Sequence, residues 1–157
     1  DAEVVIAAAS PWSKRADSTA GQAIPANVTV RRFSQFELRQ LYADSRFLVM
    51  PLEDVDFQAG VTAILEAMAL GRAVICTRTP GQTDVVVDGE TGLYVPPRDP
   101  QALRAAIDYL LEHPDIAQRM GEAGRARVER LMSLDHYAEG IAAMIAEVTP
   151  MEVSHAH

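Results

Sequence analysis

One stretch of this chain, Asp56 to Cys76, constrains the fold more than any other. It reads as a loop, then a helix, then a buried strand, in direct succession. Val61, Ile64, Leu65 and Met68 fall at i, i+3, i+4 and i+7, which makes one apolar helical stripe. Gly60 stands at the helix entrance, where a glycine lets the backbone approach a neighbour closely and leaves N–H groups pointing outward. Gly71 stands at the exit, the place of a left-handed cap. Ala73 to Cys76 is a short apolar run that suits a strand covered on both faces. A helix that starts at the carboxyl end of a strand is a natural anion site. Glu66 lies on this helix, off the apolar stripe, and is the carboxylate singled out by the pattern.

The flanking segments repeat the alternation. Val4–Ala9 reads as a buried strand, and Ser10–Asn27 as a long loop carrying Lys14 and Arg15. Those two cations are either solvated or within reach of a phosphate. Val28–Phe33 is rich in β-branched residues and reads as a strand. Ser34 and Glu37 have capping-box spacing ahead of a short helix, Phe36–Asp44, with Leu38, Leu41 and Tyr42 inward. Phe47–Leu52 is a third buried strand. Thr79–Asp84 makes a turn, Val85–Val87 a single helical turn, and Leu93–Val95 a short strand. Asp99-Pro100 opens a helix ended by Pro114, and two amphipathic helices follow, about Asp115–Leu131 and Leu134–Val148, the second capped by Ser133. The fold class expected is α/β, a Rossmann-like doubly wound parallel sheet with helices on both faces. Residues 1–150 are read as one domain and 151–157 as a disordered tail.

Composition narrows the chemistry. The chain has 157 residues, with 14 Lys plus Arg against 22 Asp plus Glu, a formal charge of −8. That field opposes nucleic-acid binding. The single cysteine, Cys76, excludes an internal disulfide, and no apolar run approaches the roughly 18 residues of a membrane span. No signal peptide is visible, so a cytoplasmic location is the default. Asp54 and Asp56 have the spacing of a metal-binding pair but read as loop acids, and no metal is expected. A dinucleotide oxidoreductase is disfavoured, because no Gly-x-Gly-x-x-Gly follows a first strand.

From Leu65-Glu-Ala-Met-Ala-Leu-Gly-Arg-Ala-Val-Ile75 through Pro80-Gly-Gln-Thr-Asp84 to Asp88-Gly-Glu-Thr-Gly-Leu-Tyr-Val-Pro-Pro97, the chain resembles a known family. The resemblance is to the C-terminal, donor-binding domain of family 4-type retaining glycosyltransferases, the glycosyl transferases group 1, of the glycosyltransferase-B fold. Met120-Gly-Glu-Ala-Gly-Arg-Ala-Arg127 also fits. The resemblance implies a donor-binding half of an enzyme that moves a sugar from a nucleotide-sugar to an acceptor. The substrate would be a UDP-, GDP- or ADP-sugar, with no further cofactor.

The family's Glu-x7-Glu motif falls on Gln58 and Glu66, the catalytic pair implied by resemblance. Glu66 would accept hydrogen bonds from the ribose hydroxyls. Gln58 departs from the motif: it can contact sugar hydroxyls but carries no charge. The N–H groups of Gly60, Val61 and Thr62 would face the donor sugar or its distal phosphate, and Arg32 and Phe33 end a strand at the nucleobase pocket. Asp84 stands where the family has Glu and is read as a structural acid. The family's domain begins with a further strand and helix whose Arg and Lys neutralise the diphosphate, and neither these nor the N-terminal acceptor domain precede Val4. A fragment of a longer protein, or a gap filled by another chain or by self-association, is therefore expected. The alternative function is a non-catalytic truncated relative, a nucleotide-binding or self-association module.

Overall fold

A computed structural model describes residues 2–7, 21, 23–82 and 84–148. The loop cations Lys14 and Arg15 and the C-terminal tail lie outside the described residues. The chain forms two compact units, Asp1–Asp44 and Ser45–His157.

The first unit holds β1 (Val4–Ala7), β2 (Val28–Arg31) and α1 (Gln35–Asp44). The strands pair in parallel from Val4↔Val28 to Ala7↔Arg31. The Asn27 side chain donates to the Ala2 carbonyl at 2.9 Å and helps fix that register. The capping box at α1 is formed. The Ser34 N–H and hydroxyl donate to the Glu37 carboxylate at 2.8 Å each, and the Glu37 N–H donates back to Ser34 Oγ at 3.3 Å. These bonds hold the Glu37 carboxyl below its ordinary range. Tyr42 is buried on the inner side of α1, as the spacing predicts. The expectation of a buried first strand fails: Val4 is 43% and Ile6 39% exposed. The two strands and one helix among the described residues of this unit do not supply a covering layer for both faces of a sheet.

The second unit carries β3 (Phe47–Met50), α2 (Val61–Ala69), β4 (Ala73–Thr77), β5 (Gly92–Val95), α3 (Pro100–Glu112), α4 (Pro114–Leu131) and α5 (Leu134–Val148). The sheet order is β3-β4-β5, and both pairings are parallel. The central strand β4 is buried along its whole length, the all-apolar run that a parallel strand between helices requires. Ala73 and Ile75 point to the side where Leu110 of α3 and Ala117 and Met120 of α4 close the core. Ile64 and Met68 of α2 are fully buried, so the stripe read from the sequence does face inward.

Each helix end has a local cause. Gly71 (φ +70°) ends α2 in a Schellman motif: the Arg72 N–H donates to the Ala67 carbonyl and the Gly71 N–H to the Met68 carbonyl, both at 2.9 Å. Asp99 caps α3 by accepting from the N–H groups of Gln101 and Ala102, at 3.1 and 2.8 Å. Pro100 and Pro114 occupy first-turn positions of α3 and α4, and Ser133 accepts from the His136 N–H at 3.2 Å. The α5 helix buries none of its residues.

The helical turn expected at Val85–Val87 is not formed; bends run over Asp84–Val86 instead. Val85 and Val86 are buried, and the Val87 N–H donates to Thr91 Oγ1 at 2.9 Å. The carbonyls of Asp84 and Val85 are taken by the Arg127 guanidinium of α4, at 2.6 and 3.1 Å. Groups that a helix would have used are committed elsewhere.

Cys76 is fully buried, and burial pushes its thiol from 9.0 up to about 11. The folded chain is therefore expected to resist iodoacetamide at neutral pH, while urea-unfolded chain labels readily, read by mass. The unfolded thiol ionises first, so its stabilising contribution is intact below pH 9.0 and is lost as pH rises towards about 11. Across that window wild-type stability should fall more steeply than that of Cys76→Ala; equal slopes would contradict the assignment.

Candidate functional site

The carboxyl ends of the three parallel strands of the second unit are tied together. The Leu52 N–H, just past β3, donates to Thr77 Oγ1 at the end of β4, at 2.9 Å. The Arg78 N–H donates to the Val95 carbonyl at the end of β5, at 2.8 Å. The segment leaving β3 then turns back tightly, with the Ala59 N–H donating to the Phe57 carbonyl at 2.9 Å, and enters α2 at Gly60.

Gly60 is required by its backbone conformation, and it also leaves room for the Met50 side chain. Its φ is +69°, the left-handed region, and a Cβ there would lie 3.0 Å from Met50 Sδ. Met50 is the last residue of β3, so the N-terminus of α2 abuts the carboxyl end of that strand. No side chain among the described residues caps α2, and no acidic residue lies in its first turn. The first intrahelical bond runs from the Ile64 N–H to the Gly60 carbonyl at 3.2 Å. The N–H groups of Val61, Thr62 and Ala63 precede it, so the positive end of the helix dipole is left without a compensating carboxylate of its own. A helix start of this kind is electrostatically suited to an anion.

Glu66 lies on the exposed side of the same helix, and its carboxylate has no hydrogen bond or ion pair among the described residues. Gln58 is exposed in the entry loop, where its Nε2 donates to Asp84 Oδ1 at 3.4 Å. The structure therefore brings Gln58, Gly60, Val61, Thr62 and Glu66 onto one loop–helix segment. Arg32 and Phe33 belong to the first unit. There Phe33 is half-buried, with the Arg31 guanidinium 4.3 Å above its ring centroid. Phe33 and Arg31 line a cavity of about 220 Å³ with Glu37, Gln40, Leu41 and Asp44.

A second loop, which by its sequence is a plain turn, supports the first. Gln82 is fully buried; its Nε2 donates to the Ala59 carbonyl and its Oε1 has no partner among the described residues. A Cβ on Gly81 would lie 2.2 Å from the Phe57 carbonyl oxygen, so the two loops are in backbone contact. A glutamine after Pro-Gly carries no sequence signal that separates this buried strut from a solvated turn residue. Arg78, which follows a strand end as a site-facing cation would, is committed instead. It pairs with Asp88 at 2.5 Å, and its guanidinium lies 4.4 Å from the Tyr94 ring centroid. Burial is the main cause raising the Tyr94 hydroxyl above its ordinary range, with the Arg78 charge opposing it.

The family model described as glycosyl transferases group 1 matches residues 1–127. The chain belongs to that family. Among curated relatives, D-rhamnosyltransferase WbpZ of Pseudomonas aeruginosa is 38% identical over 72 residues, covering 45% of this chain and 19% of the relative. The alpha-maltose-1-phosphate synthase of Mycolicibacterium smegmatis is 41% identical over 81 residues, covering 48% of this chain and 21% of the relative. The chain thus spans about a fifth of the length of these relatives. Among solved structures, sucrose-phosphate synthase from Thermosynechococcus elongatus superposes with a TM-score of 0.67 at 31% identity, over 78% of this chain and 30% of that one. Anabaena Alr3699/HepE in complex with UDP superposes with a TM-score of 0.70 at 20% identity, over 77% of this chain and 32% of that one. These neighbours share the glycosyltransferase-B, Rossmann-like α/β architecture, as the sequence pattern predicts. Among the described residues no helix is long and apolar enough to cross a membrane.

Proposed function

We propose that this group 1 chain is the donor-binding half of a retaining glycosyltransferase that moves a sugar from a nucleotide-sugar to an acceptor. The observation that carries the reading is the uncapped N-terminus of α2, opened by left-handed Gly60 at a strand's carboxyl end, with Glu66 on the same helix unpaired among the described residues. On this reading the N–H groups of Val61 and Thr62 receive the distal phosphate or the sugar of the donor. Glu66 accepts from the two ribose hydroxyls, a geometry that a carboxylate suits because it accepts at both oxygens. Gln58 contacts a sugar hydroxyl and, being neutral, removes no proton. As the sugar–phosphate bond breaks, negative charge grows on the leaving phosphate, and the helix dipole stabilises it. The proton of the attacking acceptor hydroxyl leaves with that phosphate, so this half supplies no nucleophile. The reading makes the parent protein a nucleotide-sugar-dependent transferase whose acceptor-binding part lies outside this chain.

The probes follow from the neighbours, since Alr3699/HepE is described with both UDP and UDP-glucose. Calorimetric titration of the chain with UDP-, GDP- and ADP-glucose is expected to show saturable binding of one of them. Absence of heat with all three, from a chain shown by circular dichroism to be folded, would overturn the reading.

A further inference from the structure

Resting on that donor-binding reading, we propose that Asp84 is a positioning residue that fixes which end of the Gln58 amide meets the donor sugar. A carboxylate can only accept hydrogen bonds, whereas an amide has a donating NH2 and an accepting oxygen. Gln58 Nε2 lies 3.4 Å from Asp84 Oδ1, so the NH2 end is turned to the acid. The Gln58 oxygen, which has no partner among the described residues, is then left to accept from a ligand hydroxyl. Gln58 with Asp84 behind it thus presents what one oxygen of a glutamate would present, without placing a charge against the sugar.

Both partners are held from behind. Arg127 on α4 donates from Nη2 to the Asp84 carbonyl at 2.6 Å and from Nε to the Val85 carbonyl at 3.1 Å. The anchor grips the backbone and leaves the Asp84 carboxylate for Gln58. On the other side, buried Gln82 donates to the Ala59 carbonyl, and Gly81 sits against the Phe57 carbonyl. The loop that carries Gln58 is therefore set against the loop that carries Asp84 by contacts on both sides of residue 58.

The test uses Asp84→Asn, Gln58→Ala and the double variant in the whole chain. Asp84→Asn keeps the backbone carbonyls that Arg127 grips, and an unchanged melting temperature would verify the fold. In the ligand-free chain the side-chain NH2 resonances of Gln58 should shift on Asp84→Asn; resonances that do not move would overturn the orientation. Against UDP-, GDP- and ADP-glucose and the matching nucleoside diphosphates, Asp84→Asn should weaken the bound sugar nucleotide about fivefold to tenfold and leave its nucleoside diphosphate unchanged. Equal weakening of both would make Asp84 merely structural and overturn the role. Gln58→Ala removes the amide that Asp84 orients and should weaken the sugar nucleotide by about the same factor. In that background Asp84→Asn should cost no more than about twofold further; a full additional fivefold to tenfold loss would overturn the proposal. If wild type binds none of the six probes, the donor reading fails and the sugar-reading role with it, while the Gln58 resonances still decide the orientation.

Discussion

Replacing Gly121 with alanine is expected to destabilise the chain by about 3 kcal/mol, within the range of overpacking in a closed core. The added Cβ would stand 2.0 Å from the Gly71 carbonyl oxygen and 3.2 Å from the Ala73 nitrogen. Neither can yield cheaply. Gly71 is fixed by the Schellman bonds that end α2, and Ala73 is the first residue of β4, paired with Phe47. The clash must therefore lift α4 off the corner between α2 and the central strand. Alanine's better helix propensity returns only about 1 kcal/mol. Gly124, one turn further along the same helix, is the control. A Cβ there meets Met68 Cγ at 3.4 Å, a flexible side chain at ordinary contact distance. Gly124→Ala is expected to be neutral or slightly stabilising. Urea midpoints followed by circular dichroism separate the two, and a Gly121→Ala chain as stable as Gly124→Ala would refute the packing argument.

The second large effect concerns binding. On the proposed reading, Glu66→Ala removes two charge-assisted hydrogen bonds to ribose, together about 3 kcal/mol, or on the order of 100-fold in affinity. Glu66→Gln keeps one acceptor and should lose about tenfold. Because Glu66 is exposed and its carboxylate makes no hydrogen bond or ion pair among the described residues, neither change should alter the melting temperature appreciably. The loss should be the same for a nucleotide-sugar and its nucleoside diphosphate, since both carry the ribose. That pattern is the opposite of the one expected at Asp84. Undiminished binding by Glu66→Ala would remove Glu66 from the site.

What the sequence made legible was local. The α2 stripe, the Ser34–Glu37 box, the Asp99 cap and the Gly71 exit each depend on residues within one or two turns, and all are found. What it hid depends on distance along the chain. The bends at Asp84–Val86 are held by an arginine 42 and 43 residues away, which local propensity cannot register. The contact between Gln58 and Asp84 spans 26 residues, and so the acid read as merely structural stands beside the motif's first position. An apolar run such as Val4–Ala7 states what a strand could bury, and its exposure goes with how few elements its unit has among the described residues. The resemblance placed Glu66 and Gln58; it offered no means of seeing Gln82 as a buried strut.

The backbone contact between Gly81 and the Phe57 carbonyl also limits how such a site can diversify. No methyl group fits between the two loops, so neither can change length or shape while the other stays as it is. Random substitution at position 81 should yield mostly destabilised chains, because every residue but glycine carries the Cβ that the contact excludes. Libraries that vary the exposed side chains at 57 and 58 with Gly81 held should yield folded chains far more often. On the proposed reading, donor preference could then drift through residues 57 and 58 while position 81 stays glycine.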